Sequence, residues 1–490
     1  MVFTSPVFLF LFLPLVLGIY YLLRKEFRNV FLFIASSFFY FYGEQKMLLL
    51  MYFVILLNYA AALLLDYLLQ KAESKPQLCR RFLMTRKIVL ALCIMICIGL
   101  LWHYKYWNFT LEIFNKIFAA AGIGYKLTVA DKIILPLGIS FYTFHVLSYT
   151  FDVYCRRLRA DKNVLHFMTY VLMFPQLVAG PIVRYIDIQR QFKERTVSLT
   201  GFANGIRRFC FGLAKKVLIA NTVAKTADKI FAVSAQQLDA ATAWLGAVCY
   251  TLQIYFDFSG YSDMAIGLAA LFGFHYKENF NYPYISKTVG EFWRRWHISL
   301  STWLRDYVYI NLGGSRSGKI KYYCNILLVF LLSGLWHGAN MTFVLWGVWY
   351  GIFIILESIF LQKFLRNKPY AAHVYALIII VFGWVLFRAD SVKYALRYWL
   401  AMLGLNGASL SEAAGYIQND GLAAVIIGCV LSYDWRNAYK ALVCGKTGGS
   451  KHLRFTAGKL LSYGMAFILA LLSVMSILSS TYNPFIYFRF

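Results

Sequence analysis

Long apolar runs separated by short basic clusters set the pattern of this chain. A helix needs about 20 apolar residues to cross the hydrocarbon of a bilayer. Runs approaching that length occupy residues 6–23, 29–43, 47–69, 88–104, 133–154, 164–182, 241–256, 322–336, 341–361, 374–388, 421–433 and 458–479. Several are short, so the pattern predicts ten to thirteen transmembrane helices, some of them re-entrant. Lys and Arg gather between the runs at 24–28, 71–87, 156–162, 207–216 and 436–454, as the positive-inside rule expects of a polytopic protein. If the first four spans alternate, 24–28 and 71–87 share the cytoplasmic side, and 156–162 falls on it too. No Lys or Arg precedes the run at 6–23 and no small-residue cleavage pattern follows it, so it reads as a retained first span. The most polar segments, 183–235 and 275–325, keep an aromatic or aliphatic residue every few positions and read as in-plane or re-entrant helices. The organisation expected is one integral membrane domain over 1–490, with N-terminal spans at 1–130, a core at 131–361 and C-terminal spans at 362–490.

Composition agrees with lipid as the solvent. The chain is 60% hydrophobic and only 14% charged, against roughly a quarter charged in soluble domains. The net charge of +27 invites a nucleic-acid reading. Its distribution between apolar runs fits anionic lipid headgroups instead, at about 1 kcal/mol per basic residue. We therefore expect membrane lipid, and no nucleic acid, as a partner. The nine cysteines form no C-x-x-C pair, and Cys93 and Cys97, four apart on a predicted span, read as apolar filler. No internal repeat is visible, which counts against transporter folds built from inverted repeats.

Two segments carry candidate chemistry. In EFWRRWHISLSTWLRDYVYI (291–310), helical periodicity puts Trp293, Trp296, Leu300, Trp303 and Tyr307 on one face. Arg294, Ser301 and Arg305 lie on an adjacent face, with His297 at the seam. An indole-rich stripe beside a cationic one suits an amphipathic helix lying at the membrane interface. Arg294, Arg295 and Arg305 also suit an anionic cytosolic ligand such as the phosphates of a nucleotide-like cofactor. The second segment is SGLWHGAN (333–340), between two apolar runs. Gly338 and Asn340 are poor helix residues, so a break is expected there. Irregular backbone at membrane depth survives only where protein buries it or a wet cavity meets it. An ionisable residue at such a break, His337, is a functional-site candidate, with a structurally satisfied histidine as the alternative. Burial favours a neutral imidazole, the form a general base requires. His145, on the span at 133–154, reads as bonded to a neighbouring hydroxyl.

Missing motifs narrow the chemistry. No H-x-x-x-x-D exists: Thr302 and Thr342 stand five positions after His297 and His337. No H-E-x-x-H or similar cluster offers metal ligands. GYSDM (260–264) lacks the second glycine of a nucleophile elbow. GKT (445–447) has Lys440 where a phosphate-binding loop needs glycine.

WRRWHISLSTWLRDYVYINLGG (293–314) followed by GLWHGAN (334–340) resembles the signature of the membrane-bound O-acyltransferase family. LPLGISFYTFHVLSYTFDVY (135–154), FPQLVAGPIVRY (174–185), YFDFSGYSDMAIGLAALFGF (255–274), NFNYPY (279–284) and PFIYFRF (484–490) resemble its bacterial branch that serves alginate O-acetylation. The likeness is strong to about residue 360 and thinner over 390–480. It implies an all-α ring of helices with re-entrant and in-plane helices around a central tunnel. It makes His337 and His297 the catalytic candidates, with Trp336, Asn340 and Ser301 in support and no metal. It implies an O-acyltransferase of the bacterial inner membrane that moves an acyl group, most readily acetyl from acetyl-CoA, to an extracytoplasmic acceptor. No permanently bound cofactor is expected. His297 is expected to orient the donor or to stabilise a developing oxyanion. Alginate-like exopolysaccharide, cellulose and peptidoglycan all fit as the final acceptor, reached through an acyl-accepting partner outside the membrane. Two rivals stay open: a D-alanyl transferase for teichoic acids using a carrier-protein thioester, and a lipid or solute transporter relying on Asp257, Asp263 and His145.

Overall fold

The computed structural model describes residues 1–128, 133–316, 318–407, 409–435, 451–480 and 482–484. The basic cluster expected at 436–454, the GKT tripeptide and the PFIYFRF terminus lie outside the described residues, apart from the helical backbone of 451–454 and Pro484. The protein is all-α, with no strand among the described residues. Among those residues six helices are long and apolar enough to cross a membrane: Met47–Ser74, Pro76–Ala120, Lys319–His337, Met341–Leu365, Pro369–Arg388 and Gly458–Ser479. Phe8–Leu22 and Asn419–Leu431 are shorter apolar helices. The remaining apolar runs differ in kind. Those at 133–154 and 241–256 become Ile139–Tyr154 and Ala240–Leu271, helices buried along most of their length. They carry polar side chains because they face protein, where partners exist, rather than lipid. The run at 164–182 ends its helix at Leu172 and restarts at Phe174–Leu177 with Pro175 in the first turn, where a missing N–H costs nothing.

The chain falls into two compact units. The first comprises Met1–Ser198 and Phe272–Tyr276. Its helices Met47–Ser74, Cys79–Leu101 and Ile139–Tyr154 meet around buried Asn58. The Asn58 amide donates to Cys97 Sγ at 3.2 Å and accepts from Cys93 Sγ at 3.1 Å and Thr150 Oγ1 at 2.9 Å. Cys93 and Cys97 are thus more than filler: their thiols satisfy an amide that lipid could not. His145 is fully buried here beside Tyr170, and neither ring nitrogen has a hydrogen-bond partner among the described residues. The expected bond from the ring to a neighbouring hydroxyl is not made; the Ser148 hydroxyl donates to the His145 carbonyl instead, at 2.8 Å.

The second unit comprises Leu199–Leu271 and Lys277–Phe490. Ala240–Leu271 runs through its core, and two of its carboxylates meet cations there. Asp257 pairs with Lys216 at 2.7 Å, both nearly inaccessible. Asp263 receives Arg208 at 2.8 Å and Lys215 at 2.6 Å. Removing one partner of such a buried pair strands the other charge, so these pairs clamp the helices. Both predicted histidines belong to this unit.

Candidate active site

The apolar run interrupted by WHGAN folds back on itself. Helix Lys319–His337 ends at His337, and Asn340 caps the next helix, Met341–Leu356. A Cβ on Gly334 would lie 2.2 Å from the Phe343 carbonyl oxygen, and one on Gly347 would lie 2.2 Å from that of Phe330. That reversed order of contacts makes the pair an antiparallel hairpin, closed because glycine lets the backbones touch. The expected break is therefore the turn of a hairpin. Asn340 secures it: Oδ1 accepts from the Thr342 amide at 3.1 Å, and Nδ2 donates to the Asp390 carbonyl at 3.2 Å.

His337 sits on the last helical turn, 7% exposed, inside a wall of aromatic rings. Its ring centroid is 4.9 Å from Trp336, 5.1 Å from Trp346 and 5.1 Å from Phe387. All three meet it edge-on, at 79°, 83° and 75°.

The segment predicted as one helix over 291–310 is broken. Val289–Arg295 and Ile298–Leu304 are separate short helices, and His297 between them takes a left-handed backbone, φ 43°. Asn279 imposes the break. Its carbonyl accepts the Ile298 amide at 2.9 Å and its Oδ1 accepts the Ser299 amide at 3.1 Å. These long-range bonds outweigh a helical pattern that would otherwise run through. The aromatic stripe also has a different fate from an interfacial one. Trp293, Trp296, Leu300, Trp303 and Tyr307 are all buried. Trp296 lies 4.8 Å from Trp384, and Trp293 lies 5.5 Å from Trp346. The pattern signalled a protein core, because the second unit supplies aromatic partners that a bilayer does not. The first short helix starts on two caps: Thr288 Oγ1 accepts from the Glu291 amide at 2.9 Å, and the Glu357 carboxylate accepts from the amides of Val289 and Gly290 at 2.5 and 3.0 Å.

His297 is inaccessible to solvent. Phe258 meets its ring edge-on at 4.6 Å and Trp336 lies 6.0 Å away. Its Nδ1 stands 3.2 Å from Asn279 Oδ1 and 3.4 Å from Ser299 Oγ. Lying outside the spanning helices, it is pushed down by burial to a pKa of about 3 and stays neutral at physiological pH.

The structure thus gathers His297, Trp336 and His337 into one aromatic cluster, with Asn340 closing the turn beside it. Ser301 is half-buried and touches the site through its backbone, donating to the His297 carbonyl at 3.1 Å. The arginines part company. Arg295 is held by Glu291 at 2.9 Å and by the Asn281 carbonyl at 3.1 Å. Arg294 and Arg305 are exposed, Arg305 against Asp306 at 2.7 Å. Sequence reasoning gave no role to Asn279, Ser299, Trp346, Phe387 or Glu357. Asn279 opens the NFNYPY motif and Ser299 lies within the 293–314 signature; the others carry no local signal.

An all-helical membrane protein with two buried histidines around one indole is the framework on which comparison with known proteins falls. The model of the membrane-bound O-acyltransferase family matches residues 32–396. The chain is 40% identical to a probable alginate O-acetylase of Azotobacter vinelandii over the whole of both chains. It is 45% identical to a probable alginate O-acetylase of Pseudomonas aeruginosa, over 84% of this chain and 76% of that one. It is 37% identical to a peptidoglycan O-acetyltransferase of Helicobacter pylori, over 66% of each. The chain belongs to the membrane-bound O-acyltransferase family and is a multi-pass membrane O-acyltransferase.

Proposed function

We propose that this protein moves an acetyl group from cytosolic acetyl-CoA across the bacterial inner membrane to an extracytoplasmic acceptor, for O-acetylation of a polysaccharide. The placement of His337 carries the reading: an imidazole at a hairpin turn, 7% exposed and ringed by Trp336, Trp346 and Phe387. The kinship with an alginate O-acetylase and a peptidoglycan O-acetyltransferase supports the acetyl group and the polysaccharide class.

In the reaction His337 takes the proton of the acceptor hydroxyl as its oxygen attacks the thioester carbonyl. The carbon–sulfur bond then breaks, CoA leaves as thiolate, and the proton on His337 is returned to it. A general base contributes typically 10²–10⁴-fold. The aromatic wall keeps water from competing as nucleophile. The exposed Arg294 and Arg305 receive the CoA phosphates from the cytosol, and His297 and Trp336 orient the reacting groups. The acyl group leaves on a partner outside the membrane, and the sugar is the final acceptor. The test is His337→Ala in membrane vesicles supplied with labelled acetyl-CoA. Transfer should fall by about 10²–10⁴-fold at unchanged protein abundance; transfer at the wild-type rate would end the reading.

A further inference from the structure

The hydrogen bonds around His297 fix which of its nitrogens carries the proton. A backbone N–H can only donate, and the Ser299 amide points at Asn279 from 3.1 Å. The atom it faces is therefore the amide oxygen of Asn279. The amide nitrogen faces the other way and donates to Ser262 Oγ at 3.1 Å. The Ser299 hydroxyl donates to the same oxygen at 2.9 Å. His297 Nδ1 looks at those two oxygens, from 3.2 and 3.4 Å. The amide oxygen has no hydrogen to offer, so Nδ1 must supply one. Burial keeps the ring neutral, at a pKa of about 3, so Nε2 is left with a bare lone pair. That nitrogen is buried and has no hydrogen-bond partner among the described residues. A buried acceptor without a donor costs free energy.

We propose that Asn279 is a positioning residue that holds His297 as the Nδ1–H tautomer, so that Nε2 accepts a hydrogen bond from an O–H or N–H of the substrate. The proposal rests on reading the His337–Trp336–His297 cluster as the reacting site. It changes what His297 can do: a nitrogen without hydrogen cannot stabilise an oxyanion by donation. It can hold the attacking hydroxyl of the acceptor, or an amide N–H in the pantetheine arm of acyl-CoA. The left-handed backbone at His297 belongs to the same device, since Asn279 bonds the two amides that follow it. One residue thereby sets both the backbone turn, through its carbonyl and side chain, and the tautomer of the ring, through its side chain.

The experiment is nitrogen-15 NMR of the full-length protein, histidine-labelled and held in lipid nanodiscs, with the His297 signals identified by their loss in His297→Asn. Asparagine tolerates the left-handed backbone well enough to serve there. The wild type should show Nδ1 protonated and Nε2 bare across neutral pH. Asn279→Leu keeps the side-chain size but removes the acceptor. It should populate the Nε2–H tautomer and lower kcat/KM at least tenfold. Asn279→Asp keeps an acceptor and should keep Nδ1 protonated. A raised KM for the acceptor in Asn279→Leu assigns the O–H partner; a raised KM for acyl-CoA assigns the N–H partner. An Nε2–H signal in the wild type would overturn the proposal, as would Asn279→Leu with the original tautomer and full activity. If Asn279→Leu does not fold, the wild-type spectrum still decides. The spectrum needs no turnover, so it stands apart from the His337→Ala test of the site itself.

Discussion

The rings of His297 and Trp336 lie 6.0 Å apart at 58°, and the same indole stands 4.9 Å from His337. Trp336 is thus the spacer between two imidazoles that are 40 residues apart in sequence. Replacing it with alanine should leave both rings room to move, and a misplacement of about 1 Å can cost on the order of 100-fold in rate. Trp336→Ala should lose acyl transfer on that scale, whereas Trp336→Phe should keep most of it. Initial rates in vesicles, normalised to protein amount, make the comparison. Full activity in Trp336→Ala would mean the indole only fills space.

The hairpin that carries His337 depends on glycine where the two backbones touch. Gly334→Ala and Gly347→Ala each drive a Cβ to 2.2 Å from a carbonyl oxygen, and a backbone cannot retreat as a side chain can. Overpacking of this kind costs about 1–3 kcal/mol or more. Both variants should lower the unfolding temperature in detergent. Gly18→Ala, which meets nothing within 4 Å, serves as the control and should not lower it.

Arg294 and Arg305 are exposed, and their use by the donor is open to a kinetic test. Their reversal to glutamate should raise the KM for acyl-CoA while kcat changes little, the mark of lost ground-state binding. One charged hydrogen bond is worth about 1.5 kcal/mol or more, so each change should raise KM about tenfold. An unaltered KM would return these residues to surface charge. Arg295 should behave differently, because its bonds to Glu291 and the Asn281 carbonyl make it a structural tie.

Asp239 predicts an acid limit on stability. Burial by itself would raise its pKa. The amides of Ser409, Thr242 and Ala241 and the Thr242 hydroxyl outweigh that and hold it at about 2. A carboxyl depressed in the fold contributes stability that is present above its unfolded value, near 4. That stability is lost as pH falls from there through about 2. Asp239→Asn should be less stable at neutral pH and should show a shallower loss between pH 4 and 2. Parallel pH curves for the two proteins would argue against the linkage.

The membrane class was legible from apolar runs and basic clusters because lipid leaves a chain few options. Every backbone group must bond within a helix, and charge must sit at the ends. The break beside His337 was equally legible, since one imidazole and two poor helix residues interrupt an apolar run too long for one span. The residues at 291–310 were harder. Their period is helical and their stripe aromatic, so local sequence predicts one interfacial helix. The protein instead breaks it at His297 and buries the stripe.

By itself, then, the sequence determined the solvent, the helical class, the break at WHGAN and the candidate imidazoles, all of which follow from neighbours along the chain. Tertiary structure alone decided the backbone turn at His297, the ring nitrogen that faces Asn279, and the wall that Phe387 and Trp346 complete around His337. Those depend on hydrogen bonds and ring contacts between residues from 9 to 50 positions apart. Such partners leave no periodic trace, because periodicity records which face of a helix is buried and not what is buried against it.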